Sequence, residues 1–300
     1  KNLLYEGILN KPKGEDLRDW EQRNQLLYRS SKFNDDSDRP FKKANGEWTY
    51  FANDTAYHYD KFTRNFNQLI NIWGADHIGY IKRMKSIVDV ISNKKNYLDI
   101  KICQIVRLFK NNLVLKMSKR EGVFISLKNI YNQVGKDPLR YYMISTKNET
   151  PIDFDIKKVV EKNKDNPVFY CQYTYARASS VINKAKNIKE FKDFKKQINN
   201  YEIDKISKYE REIILRIISW PYILKQSAIS KQPHKITNFL EELSMLFHSL
   251  WNKGNDDKSL RFLDISDPSK TITKLIWIES MRIVLKNAFK IIGIESHEKM

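Results

Sequence analysis

The spacing of apolar residues in the second half of the chain constrains the fold most. Ile236, Phe239, Leu240, Leu243, Leu246, Phe247 and Leu250 recur at three- and four-residue intervals. Leu275, Ile278, Met281, Leu285, Ala288, Phe289 and Ile292 do the same. That period puts each set on one side of a helix. Helices over 235–251 and 271–292 must bury those faces against other helices. The pattern predicts two more, over 156–186 with a bend at Pro167 and over 203–230 with a kink at Pro221. A shorter helical region over 139–144 follows Asp137-Pro138. The second half reads as all-α from a boundary near residue 137.

The first half follows a different rule. Leu69-Ile70-Asn71-Ile72-Trp73 is a short apolar run ending at Gly74, as a buried strand does, and 101–109 alternates apolar and polar residues as a second strand. Helical stretches are predicted over 55–66 and 78–91, after a β-rich run over 46–51. Strands alternating with helices imply a parallel sheet, whose ligands bind at the carboxyl ends of the strands. Residues 1–45 read as polar loops with short strands near Leu26-Leu27-Tyr28-Arg29. The expected fold class is α/β followed by all-α, over 1–45, 46–136 and 137–300.

Composition narrows the partners. The formal net charge is +18, with 54 Lys+Arg against 36 Asp+Glu. Such an excess suits a polyanion, and RNA fits, although lysines beside Asn and Ile are also a mark of compositional bias. Cys103 and Cys171 have no metal-ligand spacing, so neither a disulfide framework nor a zinc site is expected, and a reducing cytoplasm fits. No apolar run is long enough for a membrane span. The first residues lack a signal-peptide layout and do not open on Met, so the chain reads as the back part of a longer protein.

Five groups of residues have chemistry suited to a site. Tyr50 and Asp54 stand four apart where a strand hands over to a helix. The carboxylate can take a guanidinium through two hydrogen bonds, or serve simply as an N-cap beside a core tyrosine. At the end of a strand, Gly74 allows close backbone approach and Asp76 can accept ribose hydroxyls, with His77 next to them. The same residues also make an ordinary capped turn. Tyr170, Tyr173 and Arg177 lie in an aromatic-rich basic helix, a composition that stacks unpaired bases but also builds cores. Phe247 and Trp251 share one helical face, as core or as stacking platform.

The fifth group is Lys116-Met117-Ser118-Lys119-Arg120-Glu121-Gly122, which reads as a basic, mobile loop between ordered segments. Its ammonium groups suit a leaving pyrophosphate. This string resembles the second signature of class I aminoacyl-tRNA synthetases. His77-Ile78-Gly79-Tyr80 resembles the other signature but stands only about 36 residues before Lys116, too close for a motif that follows the first strand of the nucleotide fold. It is therefore kept as a strand end.

Further blocks extend the likeness in order along the chain: Pro12-Lys13-Gly14, Asp19-Trp20-Glu21, Asp38-Arg39-Pro40, Thr49-Tyr50-Phe51-Ala52, Trp73-Gly74-Ala75-Asp76-His77, Asp153-Phe154-Asp155, Asn166-Pro167 with Gln172-Tyr173, Phe247-His248 and Gly293-Ile294. Together they resemble bacterial-type arginyl-tRNA synthetase. The resemblance implies the second half of a Rossmann-like catalytic domain and a helical anticodon-binding domain. It implies ligation of L-arginine to tRNA(Arg) through arginyl-adenylate, with ATP as substrate and Mg2+ accompanying it, in a cytoplasmic monomer. On that basis Lys116, Lys119 and Ser118 are catalytic. Gly74, Asp76, Lys116, Met117 and Lys119 hold ATP, and Tyr50, Asp54 and His77 hold arginine. Tyr170, Tyr173, Arg177, Phe247, Trp251 and Met300 face tRNA. The first half of the family's catalytic domain has no counterpart here, so this chain alone is expected to be inactive. The competing class is a non-catalytic tRNA-binding module derived from such an enzyme.

Overall fold

The computed structural model describes residues 3–9, 24–33, 35–43, 45–111, 113–115, 125–197 and 206–300. The backbone divides into two compact units, Lys1–Ile105 and Val106–Met300.

In the first unit, β1 (Leu4–Ile8), β2 (Asn24–Tyr28) and β3 (Arg39–Pro40) form an antiparallel sheet in that order. Helix α1 (Tyr50–Thr63) follows, then β4 (Leu69–Gly74), a 3-10 turn (Ala75–Tyr80), α2 (Ile81–Ser92) and β5 (Leu98–Cys103). Strands β4 and β5 pair in parallel, with Leu69 opposite Leu98 and Gly74 opposite Cys103. This is the βαβ unit expected from alternating strands and helices. Tyr28, fully buried, ties the antiparallel sheet to the helices. Its ring packs among Phe33, Phe41 and Phe51, and its hydroxyl lies 3.3 Å from Ser86 Oγ on α2.

Two expectations for this unit are corrected. The run 46–51 is not a strand through its length, because α1 begins at Tyr50. Thr49 takes the N-cap: its hydroxyl accepts from Ala52 N (3.3 Å) and donates to Pro40 O (2.9 Å). The expected strand over 101–109 is two strands in two sheets. The alternation continues through Gln104-Ile105, but β5 pairs with β4, whereas β6 (Val106–Lys110) belongs to the next unit.

In the second unit, β6 pairs antiparallel with β7 (Leu113–Val114) and parallel with β8 (Ile152–Asp155). Helices α3 (Leu127–Val134) and α4 (Lys136–Ile144) lie between β7 and β8 in sequence. After them come α5 (Pro167–Lys186), α6 (Phe194–Gln197), α7 (Lys208–Ile218), α8 (Trp220–Ser230), α9 (His234–Asp256) and α10 (Pro268–Ile292). The β6–β8 pairing places β6, β7 and β8 in one compact unit with the helices that follow. Tyr142 of α4 then packs against both the small core around Phe154 and the large helical core.

Prolines start helices here instead of bending them. Pro167 is the first residue of α5, where its missing N–H costs nothing, and Asn166 before it is extended. Asn166 Nδ2 donates to Val159 O (3.1 Å) and Glu161 O (2.6 Å), which holds 156–166 outside the helix. Pro221 likewise sits in the first turn of α8, so the expected kinked helix is two helices meeting at Ser219. Helices α9 and α10 carry their apolar sets inward as the spacing requires: Phe239, Leu240, Leu243, Leu275, Ile278, Met281 and Leu285 are buried. Gly293, at φ +75, ends α10 in the left-handed conformation that glycine adopts freely. Among the described residues no helix is long and apolar enough to cross a membrane.

Candidate functional site

In the first unit the predicted residues Gly74, Asp76 and His77 stand at the carboxyl end of the parallel pair. Gly74 is the last residue of β4, and Asp76 and His77 lie in the 3-10 turn after it. A Cβ at position 74 would meet Asp76 Oδ1 at 2.6 Å, so glycine is what lets that carboxylate fold back over the strand end. His77 Nε2 stands 3.6 Å from Asp76 Oδ2, and its ring lies between Trp73 (6.0 Å) and Tyr80 (6.5 Å). The Asp76 and His77 side chains are both open to solvent.

Tyr50 and Asp54 occupy the first two turns of α1, on one face. Tyr50 is 83% exposed and is not a core residue. Asp54 is not the N-cap, because Thr49 holds that position, so its carboxylate is left for other use. A pair of residues that sequence reasoning missed orients this helix. Asn71 of β4 donates through Nδ2 to His58 Nε2 (2.8 Å) and accepts from Lys61 Nζ at Oδ1 (3.0 Å). His58 Nδ1 therefore carries the proton and donates to the Asp54 carbonyl (2.7 Å). Burial lowers the His58 pKa, which keeps the ring neutral. Only the connection 64–68 separates α1 from β4, so the start of α1 points toward the carboxyl end of β4. A cleft of ≈ 400 Å³ on α1 is lined by Phe41, Trp48, Asn53 and Tyr59 among others, and contains none of the predicted residues.

Lys116, Met117, Ser118 and Lys119 lie outside the described residues, as do the blocks at Pro12 and Asp19.

In the second unit the predicted aromatic residues meet. The cluster is built on α5 and α9 around a residue not among the predicted site residues, His248, which is 5% exposed. Its ring lies 4.5 Å from that of Tyr170 and stacks on Tyr173 at 5.8 Å, with Phe169 stacked on Tyr173 in turn. Arg177 Nη1 is 3.1 Å from His248 Nδ1, and Thr174 Oγ1 is 2.9 Å from Nε2. The guanidinium has only donors, so Nδ1 accepts and the proton sits on Nε2. Thr174 accepts that proton while donating to Tyr170 O (3.0 Å). Burial, and then the charge of Arg177, hold the His248 pKa down to about 4. The Arg177 guanidinium lies over both Tyr173 (4.4 Å) and Trp251 (4.7 Å). Cation and rings thus form one half-buried basic and aromatic surface, suited to stacking unpaired bases.

Of the two readings of Phe247, core or stacking platform, the structure shows the core. Phe247 is 0% exposed and stacks on Phe262 at 5.3 Å with an interplanar angle of 3°. Its ring is core, and it supports Trp251 from behind (6.0 Å). Met300 is exposed, at the end of a tail held to α4 and α5: Gln172 Nε2 donates to Glu295 O (3.0 Å) and to Asp137 Oδ2 (2.8 Å).

The chain thus combines a parallel βαβ unit, with open acidic and imidazole groups at its carboxyl end, and a helical bundle with a basic aromatic face. The DALR anticodon binding domain family matches residues 171–300. The chain is homologous to arginine–tRNA ligases along its whole length and corresponds to a C-terminal portion of them. It is 42% identical over 301 residues to the arginine–tRNA ligase of Parvibaculum lavamentivorans, covering 100% of this chain and 52% of the relative. It is 44% identical over 299 residues to that of Cereibacter sphaeroides, covering 99% and 51%. A crystal structure from Campylobacter jejuni, provisionally described as an arginyl-tRNA synthetase, superimposes with a TM-score of 0.78 at 29% identity, over 94% of this chain and 59% of that one. Thermus thermophilus arginyl-tRNA synthetase shares the fold, with a TM-score of 0.69 at 15% identity over 92% and 54%. The chain spans about half the length of the curated relatives it matches.

Proposed function

We propose that the chain is part of an enzyme that joins L-arginine to tRNA(Arg) at the expense of ATP. The arginine carboxylate attacks the α-phosphorus, the bond to the β-phosphate breaks, and pyrophosphate leaves. A ribose hydroxyl of the terminal adenosine then attacks the activated carbonyl and AMP leaves. Asp54, with Tyr50 and His77, takes the guanidinium of the substrate. Asp76 accepts the ribose hydroxyls over Gly74. Lys116 and Lys119, with Ser118, are the catalytic group and offset charge on the phosphates as it develops, and Met117 joins the two lysines in holding ATP. Tyr170, Tyr173, Arg177 and Trp251 face the anticodon region, with Met300 nearby and Phe247 behind them. The domains follow: 1–45 as connecting segment, 46–136 as the second half of the catalytic domain, and 137–300 as the anticodon-binding domain. The enzyme works as a cytoplasmic monomer, and this chain needs an upstream half for catalysis.

Mg2+ is assigned no protein ligand. The ion enters with ATP.

End-to-end similarity to arginine–tRNA ligases is the observation that supports this reading most. The test is ATP–pyrophosphate exchange with arginine and tRNA, in a protein with an upstream half restored. Exchange should depend on both substrates. Lys116→Ala with Lys119→Ala should cut turnover at least about 100-fold while leaving tRNA affinity nearly unchanged. No exchange would leave the chain a tRNA-binding module.

A further inference from the structure

We infer that His248 is a positioning residue for RNA reading: its unprotonated Nδ1 holds the Arg177 guanidinium across the rings of Tyr173 and Trp251. The inference rests on the proposed reading of the α5–α9 face as an RNA surface. It concerns a buried side chain that touches no ligand itself.

Arginine has a long side chain, and a free guanidinium on a helix surface samples many rotamers. Binding that must first order it is weakened by the lost freedom. Here three contacts fix it. Two are ring faces, at 4.4 Å and 4.7 Å, which set the plane but leave the group free to slide. The third is directional, the 3.1 Å hydrogen bond to Nδ1. That bond exists only while Nδ1 keeps its lone pair. Thr174 secures this from the other side of the ring. Its hydroxyl is committed as donor to Tyr170 O, so it accepts the Nε2 proton at 2.9 Å. The relay Tyr170–Thr174–His248–Arg177 runs from backbone to guanidinium, and each member has one role. The ring stacked on Tyr173 also keeps that tyrosine parallel to the imidazole, at 23°.

The two ring nitrogens can be separated by substitution. Asparagine places an acceptor where Nδ1 stands and loses the Thr174 contact. Glutamine reaches the Nε2 position and keeps Thr174, but abandons Arg177. The assay is binding of two RNA hairpins, one with an arginine anticodon and one with that anticodon altered. The proteins are the unsubstituted chain, His248→Asn, His248→Gln, Arg177→Ala and the double variant His248→Gln with Arg177→Ala. His248→Gln should reduce the preference for the arginine anticodon about tenfold, the cost of one lost hydrogen bond to a charged group. His248→Asn should rescue it. In the Arg177→Ala background, His248→Gln should have no further effect. A second readout needs no RNA: nitrogen-15 NMR of the unsubstituted chain should show Nε2 protonated and Nδ1 bare at neutral pH.

Preference kept in His248→Gln, an equal further loss in the Arg177→Ala background, or an Nδ1-protonated ring would each overturn the inference while leaving the RNA reading intact. Equal binding of both hairpins by the unsubstituted chain would overturn the RNA reading, and the inference with it.

Discussion

The aromatic and imidazole side chains of α1 and of α5 with α9 differ sharply in exposure. On α1, Tyr50, Tyr57 and Tyr59 are exposed, Phe51 and His58 are buried, and Phe62 packs half-buried against the core. On α5 and α9, Tyr175, Phe247 and His248 are buried, and the residues left half-open at Tyr173, Arg177 and Trp251 rest on them. Helix α1 is covered along one side, whereas α9 contacts α5, α7, α8 and α10. The lesson concerns preorganisation. In the bundle the chain itself fixes the aromatic face through its core. At the end of β4 the candidate ligand groups stand on an open surface.

The contrast can be broken by substitution, and Phe247 is where the effect should be largest. Phe247→Ala removes a fully buried ring and should cost about 3–5 kcal/mol, read by denaturant unfolding. A loss below about 1 kcal/mol would mean that the bundle does not hold its aromatic face rigidly.

A titration sharpens the comparison next. The folded state keeps His248 neutral down to about pH 4, against an ordinary value of 6.5. Its folded pKa is depressed, so between those values the unfolded chain binds more protons and stability falls as pH falls. The contribution is complete above pH 6.5 and is lost toward pH 4, with an upper bound of roughly 3.5 kcal/mol at about 1.4 kcal/mol per pKa unit. His58 acts in the same direction in the first unit. Unfolding midpoints across pH 4–7 should be flatter in His248→Asn than in the unsubstituted chain. Parallel curves would contradict the buried neutral ring.

Smaller effects belong to α1. Thr49→Ala removes its N-cap and should cost about 1 kcal/mol, with faster hydrogen exchange confined to its first turn. Tyr50→Ala should change stability by less than about 0.5 kcal/mol. In the enzyme with its upstream half restored, the same substitution should raise the KM for arginine. A stability loss at Tyr50 as large as at Phe247 would erase the distinction between the two regions.

The sequence shows the helices of the bundle plainly, because Ile236 to Leu250 and Leu275 to Ile292 follow a helical period without interruption. It shows the end of β4 equally well, since Gly74-Ala75-Asp76-His77 ends an apolar run. Boundaries were harder to read. A proline in a first turn and a proline at a kink look alike until the preceding residue's conformation is known, so Pro167 and Pro221 read as bends. Alternation through Gln104-Ile105 hid a change of sheet, because pairing partners are not written in the strand itself. The burial of Phe247 is set by Phe262, and the role of His248 by Arg177, which lies 71 positions away. Neither partner is visible in the local pattern. Lys116 and Lys119 show the converse: their role is proposed from the sequence alone, and they lie outside the described residues.

The central claim is that the α5–α9 face reads the anticodon of tRNA(Arg). The most direct measurement is binding of the chain to that tRNA and to the same tRNA with its anticodon exchanged, across a salt series. Phosphate contacts weaken together as salt rises, whereas base contacts keep their preference. The account predicts a preference for the native anticodon that survives raised salt. Equal affinities that fall with the same steep slope would contradict it.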